Sequence, residues 1–325
     1  MRLFRSPEQQ LDAVLGQARL RADRDRGYVT LGVFDGVHLG HQRLIRRMVE
    51  SARADGGTAL TLTFHPHPST VLRDEPLHLL TTVDERAALI APLGVDRLIV
   101  TPFTHDVARM AADAFLAHLE RYLALAELWI GSDFTLGCHQ EGDADRLHVL
   151  GQERGFAVHV VEPRQWRGEA VSSSRIREAL VEGQLEEANG CLGRPYRLSG
   201  VVVHGEGRGR KLGVPTANLL CPAERLIPAS GIYASRVHGE ALEGYPTVVN
   251  VGTRPTFEGR EVTVEAHLLG FEDNLYGQTL ALDFIERLRD EEAFDSVDAL
   301  IAQMDDDIKW ACEVLGEPSA CATRR

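Results

Sequence analysis

Lysine is almost missing from this 325-residue chain: of 35 basic residues only Lys211 and Lys309 are lysines, and arginine carries the rest of the positive charge. Positive charge is itself in deficit, with 48 acidic residues setting a formal net charge of −13. That balance argues against a nucleic-acid partner, because binding a polyanion draws on a net-basic face to release counterions. Cysteine is also scarce. Cys138, Cys191, Cys221, Cys312 and Cys321 are odd in number, scattered and without a C-x-x-C pair, which suits a reducing compartment and excludes a zinc ribbon. No apolar run approaches the roughly 18 residues that span a bilayer. The arginines near the N-terminus suggest a transit peptide, but Glu8, Asp12, Asp23 and Asp25 spoil that reading. The expectation is a cytoplasmic protein with no nucleic-acid or membrane partner and no obligate protein partner.

What is present is ordinary globular composition, 44% hydrophobic and 26% charged, at a length that suits two domains. From residue 27 to about 183, strand-like runs at Tyr28–Val33, Ala59–Phe64, Arg97–Thr101, Leu128–Gly131 and Ala157–Val161 alternate with helical stretches such as Gln42–Ala54 and Ala111–Leu123. This predicts an α/β domain, a parallel sheet with helices on both faces. After residue 195 the runs become short and bounded by Gly and Pro: Leu198–His204, Gly231–Val237, Thr247–Val251, Val262–Leu269 and Thr279–Phe284. They predict a small antiparallel β-barrel. A final helix from Ser296 to about Trp310 would pack Val297, Leu300, Ile301, Met304 and Ile308 against it. The segment Glu182–Gly193 is the best boundary, giving domains of residues 1–186 and 187–325.

In the first domain, Leu31-Gly-Val-Phe-Asp-Gly-Val-His-Leu-Gly-His41 runs from the first strand into the first helix, where open α/β sheets bind ligands. Backbone N–H groups and the helix dipole direct positive charge at an anion there. Gly36 and Gly40 allow close approach, and His38 and His41 can both face that anion. Two imidazole donors suit the charge that develops on a transferring nucleotidyl phosphate. His65 and His67 could join them around a transition metal, but no acidic ligand stands at a zincin spacing. Further on, Val171-Ser-Ser-Ser-Arg-Ile-Arg177 opens a helix with capping hydroxyls followed by Arg175 and Arg177. Arginines run against the dipole preference at that end, which points to a bound polyphosphate; the planar fork of Arg177 can hold two of its oxygens.

In the second domain Gly205, Gly207, Gly209 and Gly213 form a phosphate-covering loop whose spacing is neither a Walker A nor a dinucleotide fingerprint. Lys211 in that loop is either a compact charge beside a phosphate or a solvated residue. Pro215-Thr-Ala-Asn218 offers a hydroxyl and a carboxamide oxygen on one side of an extended segment, hard ligands suited to Mg²⁺ shared with substrate phosphates. Val262-Thr-Val-Glu-Ala-His-Leu-Leu269 alternates so that Glu265 and His267 share a face. Glu265 there could accept a proton from an attacking hydroxyl.

The run Gly-x-Phe-Asp-Gly-Val-His-x-Gly-His-Gln, with Thr63-Phe-His-Pro-His-Pro68, Gly131-Ser-Asp-Phe134 and Ser-Ser-Ser-Arg-Ile-Arg, resembles the adenylyltransferase half of bacterial bifunctional riboflavin kinase/FAD synthetases. His204-Gly-x-Gly-x-Gly-Arg-Lys-Leu-Gly-Val-Pro-Thr-Ala-Asn218, Asn250-Val-Gly-Thr-Arg-Pro-Thr-Phe257, Val264-Glu-Ala-His-Leu-Leu269 and Phe284-Ile-Glu-Arg-Leu-Arg289 resemble its kinase half, and more specifically. The resemblance implies a Rossmann-like nucleotidyltransferase domain and a six-stranded barrel. It implies ATP as co-substrate with Mg²⁺, and riboflavin, FMN and FAD as substrates and products. It further implies that His38 and His41 steady the phosphoryl transition state. Gly32, Phe34, Asp35, Gly40, Ser172, Ser173 and Arg177 would contact ATP in the first domain, and Gly205, Gly207, Gly209, Arg210, Lys211 and Gly213 in the second. Thr216 and Asn218 would hold the metal, Glu265 would activate the ribityl hydroxyl, and Asp133 and Arg289 would contact flavin. The chain departs from the family pattern at Val33 (often Asn), Ser174 (commonly Thr), Leu136 (an aromatic) and Asn274 (usually Asp). Two other readings stay open at this point: a single-activity nucleotidyltransferase with the barrel as sensor, and a flavin carrier without turnover.

Overall fold

Gly27-Tyr-Val-Thr-Leu-Gly32 carries apolar or hydroxyl side chains throughout its centre, so a strand built from it must be covered on both faces. The computed structural model does cover it: the four residues from Tyr28 to Leu31 are all buried. The structure describes residues 7–73, 77–205, 209, 213–256 and 259–317, and it divides into two units, Met1–Ser173 and Ser174–Arg325.

In chain order the first unit contains α1 (Pro7–Gln17), β1 (Gly27–Gly32), α2 (Leu39–Ala54), β2 (Thr58–His65), α3 (Pro68–Leu72), α4 (Val83–Ile90), β3 (Arg97–Pro102), α5 (His105–Ala108) and α6 (Ala112–Leu123). It continues with β4 (Leu125–Gly131), α7 (Ala144–Arg154), β5 (Ala157–Val161) and the small hairpin β6 (Gln165–Trp166) and β7 (Glu169–Ala170). The five main strands are parallel in the order β3-β2-β1-β4-β5. One face buries Val29, Leu31, Leu60, Leu62, Leu128 and Ile130 against apolar residues of α1, α6 and α7. The other sets Tyr28, Ala59 and Trp129 against Met48 and Ala52 of α2. Chain order reverses between β1 and β4, so the carboxyl ends of those two strands form the switch-point crevice of an open α/β sheet.

The division between units falls at the start of α8 (Ser173–Val181), and α9 (Leu185–Leu192) occupies most of segment 182–193. The second unit then builds β8 (Tyr196–Val203), β9 (Ala217–Leu220), β10 (Gly231–Gly239), β11 (Leu242–Thr256), β12 (Gly259–Leu268) and β13 (Thr279–Arg289). These close an antiparallel barrel in the order β10-β11-β12-β9-β8-β13. The run-by-run sequence reading finds five of these strands. It misses β9 as a strand because its four residues, Ala217-Asn-Leu-Leu220, carry too little alternation.

The last helix, α10 (Val297–Leu315), starts where expected, with Ser296 Oγ accepting from Ala299 N, but extends to Leu315. Its packing face differs from the expected stripe. Val297 is exposed, and the buried side is Ile308, Ala311, Cys312 and Leu315, set against Ile232, Ala234, Val248 and Leu288 of the barrel. Only the C-terminal half of the helix lies flat on the barrel wall. Cys138, Cys191 and Cys221 are free thiols, whereas Cys312 is disulfide-bonded, a departure from the expectation of reduced thiols throughout.

Arg289 fastens this helix. Its Nε and Nη2 donate to the two carboxylate oxygens of the buried Asp307, each at 2.7 Å. Removing one partner of such a pair strands the other charge, at a cost of about 3 kcal/mol or more, whereas apolar replacement of both is far less costly. Asp307→Ala is therefore expected to lower stability by about 3 kcal/mol in urea unfolding, and Arg289→Met/Asp307→Leu to recover most of the loss. Equal losses in the single and double variants would show that the pairing is not the source.

Candidate active sites

The first site forms where β1 ends. Asp35 lies in the loop after it, and its buried carboxylate accepts from Leu80 N, Thr81 N and Thr81 Oγ1 at 2.9–3.1 Å. Thr82 and Glu85 close a capping box that starts α4. One residue later the buried Arg86 sets its guanidinium 4.0 Å from Asp35 and donates to Thr63 Oγ1 at 3.0 Å. Thr63 Oγ1 in turn donates to the carbonyl of Val33 at 2.8 Å. The departure at Val33 thus costs the loop nothing in this network, which uses the main chain there. Strands β1 and β2, the loop and α4 are locked together, and the lock holds Val37 at φ +40°, a conformation that costs a β-branched residue free energy. The carboxylate of Asp35, a residue expected to contact ATP, shapes this loop.

That loop delivers the two histidines. His38 is the N-cap of α2, and its Nδ1 accepts from His41 N at 3.3 Å. With Nδ1 accepting, the neutral ring carries its proton on Nε2 and is a donor there. The rings of His38 and His41 stack at 3.5 Å between centroids, 19° apart in plane, and Phe34 meets His41 edge-on at 5.2 Å. Gly40 permits this stack, because a Cβ there would lie 3.0 Å from the His38 ring; a Cβ on Gly32 would press equally on Phe34. Gly32, Phe34 and Gly40 therefore shape the histidine pair. His41 Nδ1 is buried and has no hydrogen-bond partner. Burial first, then His38 and Arg86, hold its imidazole well below the ordinary histidine value of 6.5.

Ser173 Oγ donates to the carbonyl of Asp35 at 2.9 Å, fixing the start of α8 beside this loop, with Ser172 exposed next to it. Arg177 follows Ser173 by one helical turn. Asp133 is exposed at the carboxyl end of β4, across the switch point from β1. His67 is used locally, capping α3 by accepting from Ser69 N at 3.1 Å. Among the described residues no group of three or more His, Cys, Asp or Glu could hold a metal. Leu136 is buried in the core of this unit, which gives its apolar side chain a packing role.

The second site is a row across the barrel wall. Register pairs Asn218 on β9 with Glu265 on β12, Glu265 with Asn250 on β11, Asn250 with Ile232 on β10, and Ile232 with Arg289 on β13. Directly paired residues share a face, here the outer one, since Val249, Val251, Val264 and Ala266 of the alternate set are buried. Thr216 Oγ1 donates to Glu265 Oε2 at 3.0 Å. His267, two residues along from Glu265, bonds through Nδ1 to the carbonyl of Pro215 at 2.7 Å and pins the approach to Thr216.

Gly205 and Gly209 lie against this row. A Cβ on Gly205 would lie 2.3 Å from Asn218 Nδ2, and one on Gly209 would lie 2.3 Å from the carbonyl of Val214 and 3.3 Å from Thr216 Oγ1. These two glycines let backbone lie against the two oxygen donors. Gly213 turns the chain at φ +77°. Gly207, Arg210 and Lys211 lie outside the described residues. His204 stacks on Tyr276 at 3.9 Å, beside Asn274, whose Oδ1 accepts from Tyr276 N at 2.9 Å. A carboxamide makes this turn as well as the family's carboxylate would, so the departure at Asn274 preserves the local shape.

The sequence signals at His38, His41, Ser173, Gly205, Gly209, Thr216, Asn218 and Glu265 thus converge on two sites. Arg289 stands at the far end of the row with two donors taken by Asp307. Arg86 and Thr81 go unnoticed in the sequence, since an isolated Arg at a helix start carries no signal of burial.

Comparison with known proteins matches a family to each half of the chain. Residues 20–175 match the family model described as FAD synthetase, and residues 192–315 the model described as riboflavin kinase. A bifunctional riboflavin kinase/FMN adenylyltransferase of Listeria monocytogenes is 36% identical, the match covering 86% of this chain and 89% of that protein. Proteins of the same description from Pseudomonas fluorescens and Escherichia coli are each 34% identical, covering 95% and 91% of this chain and 99% and 95% of theirs. A solved structure from Streptococcus pneumoniae, described as a macrolide-efflux protein, superposes with a TM-score of 0.83 at 32% identity over 91% of this chain and 96% of that one. No helix among the described residues here is long and apolar enough to cross a membrane.

The state of His41 sets a pH dependence. Below its ordinary pKa of 6.5 the unfolded chain protonates this ring while the folded chain does not. The unfolded state then binds more protons, so stability drops as the pH drops, by up to about 1.4 kcal/mol per pH unit. His41→Gln should flatten the fall below pH 6.5 in urea unfolding followed across that range; curves parallel to wild type would overturn the assignment.

Proposed function

The chain belongs to the bifunctional riboflavin kinase/FMN adenylyltransferase family, and from that premise we propose which residues carry its two reactions. It phosphorylates riboflavin with ATP to give FMN and ADP, and adenylylates FMN with ATP to give FAD and pyrophosphate. We assign residues 1–186 to adenylyl transfer and 187–325 to the kinase, acting on small molecules in the cytoplasm.

In the kinase, Glu265 is the base. The ribityl 5′-hydroxyl oxygen forms a bond to the γ-phosphorus of ATP, the β–γ bridging bond breaks, ADP leaves, and the hydroxyl proton passes to the Glu265 carboxylate. Thr216 and Asn218 fit a hard cation, one offering a hydroxyl and the other a carboxamide on the face that carries Glu265. They would hold Mg²⁺, which would neutralise charge on the ATP phosphates. Gly205, Gly207, Gly209, Arg210, Lys211 and Gly213 would cover those phosphates. The observation that carries this assignment is the Thr216–Glu265 hydrogen bond beside Asn218, which gathers metal ligand and base within one contact.

In the adenylyltransferase, a phosphate oxygen of FMN attacks the α-phosphorus of ATP and pyrophosphate departs, with no covalent enzyme intermediate. His38, through Nε2–H, and His41 donate to the oxygens that gain charge. Ser172, Ser173 and Arg177 would hold ATP phosphates, and Asp133, across the switch point, would contact the flavin substrate. Arg289, tied to Asp307, would contribute to flavin binding by walling the end of the barrel row.

With riboflavin, ATP and Mg²⁺ supplied, Glu265→Gln is expected to reduce FMN formation at least about 100-fold while supplied FMN still becomes FAD. His38→Ala/His41→Ala should accumulate FMN. Chromatography of the flavins reads both, and loss of both activities from either lesion in a folded protein would refute one reaction per domain. Gly205→Ala drives a Cβ into the Asn218 carboxamide. It should raise the Mg²⁺ needed for half-maximal FMN formation about tenfold, the equivalent of ~1.4 kcal/mol; an unchanged Mg²⁺ titration would remove Asn218 from the metal site.

A further inference from the structure

Asn250 stands directly opposite Glu265 across the β11–β12 pair. It faces outward between a catalytic carboxylate on one side and Ile232, which packs under α10, on the other. Its Oδ1 is buried and has no hydrogen-bond partner. A buried polar atom in that state costs about 1–3 kcal/mol, an expense usually met by a ligand or by function. Two residues on and facing the same way, Gly252 has no side chain, so the carboxamide is not walled off along its own strand. The Glu291 carboxylate hangs over that gap: a Cβ on Gly252 would lie 2.7 Å from Glu291 Oε1 and 3.5 Å from Asn250 Nδ2.

Position decides what chemistry fits here. Asn250 pairs with Glu265 on the side opposite Asn218, so it stands away from the residues assigned to the metal and the nucleotide phosphates. A carboxamide both donates and accepts, as a hydroxyl does. Paired residues on one face have Cβ atoms about 4.5–5.5 Å apart, a separation that hydroxyls a few bonds apart on one carbon chain can bridge. We propose that Asn250 is a substrate-binding residue of the kinase: its carboxamide holds an internal hydroxyl of the riboflavin ribityl chain and thereby delivers the terminal hydroxyl to Glu265. The proposal rests on the reading of Glu265 as the base.

The test compares two flavins on the full-length enzyme: riboflavin, and an analogue carrying a 5-hydroxypentyl chain at N10, which keeps the ring and terminal hydroxyl and lacks the internal ones. Asn250→Val should lower kcat/KM for riboflavin about 10- to 100-fold, leave that for the analogue unchanged, and leave the KM for ATP unchanged. Because the variant removes a polar atom that has no partner, urea unfolding should show no loss of stability. Equal loss on both flavins, or no loss on riboflavin, would overturn the proposal. Should the valine variant fail to fold, Asn250→Ser carries the same two-flavin comparison. Glu265→Gln run in parallel separates the two readings. If it turns over both flavins normally the base assignment fails, while the discrimination by Asn250 is scored independently.

Discussion

A carboxylate taken out of water must be met by donors, and the candidate site of the first unit is built around how Asp35 is met. Two backbone N–H groups, a threonine hydroxyl and the Arg86 guanidinium converge on it from some 45 residues further along the chain. Satisfying one charge therefore fixes the loop after β1 against the start of α4. The strained backbone from Phe34 to Val37 is held by that network, and the His38/His41 stack stands at the end of the loop. Without the network, nothing in the local sequence would oblige two imidazoles to lie 3.5 Å apart. The same convergence explains the electrical state of His41, because a buried ring packed against another ring near a buried guanidinium resists a proton.

The barrel positions its chemistry by register instead of buried charge. Antiparallel pairing sets Asn218, Glu265 and Asn250 in one line, and a one-residue slip of β12 would turn Glu265 into the core. The alternate residues Val264 and Ala266 are buried, so hydrophobic burial on one face is what aims the polar face. Gly205 and Gly209, having no side chains, let backbone lie against Asn218 and Thr216.

What the sequence discloses follows from these two strategies. Alternation over a few residues is local, so the shared face of Glu265 and His267 and the two donors of Thr216 and Asn218 are legible without a structure, as are the parallel sheet and most of the barrel. Partners far apart in the chain are not. That Thr81 and Arg86 meet Asp35, and Asp307 meets Arg289, emerges only on folding. The stripe proposed for α10 errs for a related reason: helical periodicity identifies an apolar face but not which turns of it reach the wall, and Val297 extends past it. Asn250 lies within a run that is recognisable by its residues, yet its unpartnered oxygen is a property of the assembled barrel.

The difference between the two sites matches the difference between their nucleophiles. A hydroxyl is a poor nucleophile until its proton is taken, and on the reading proposed above the barrel row meets it with the Glu265 carboxylate, which accepts from the Thr216 hydroxyl. The phosphate of FMN is already ionised and needs no base. Around the histidine pair the nearest carboxylate in sequence, Asp35, is occupied by backbone and guanidinium, and burial favours the neutral form of His41, which still offers an N–H. An exposed carboxylate there would repel the incoming dianion, and a missing one in the barrel would leave the hydroxyl proton with nowhere to go. Each fold thus supplies what its own substrate lacks, and the product of one site meets the electrostatic requirements of the other.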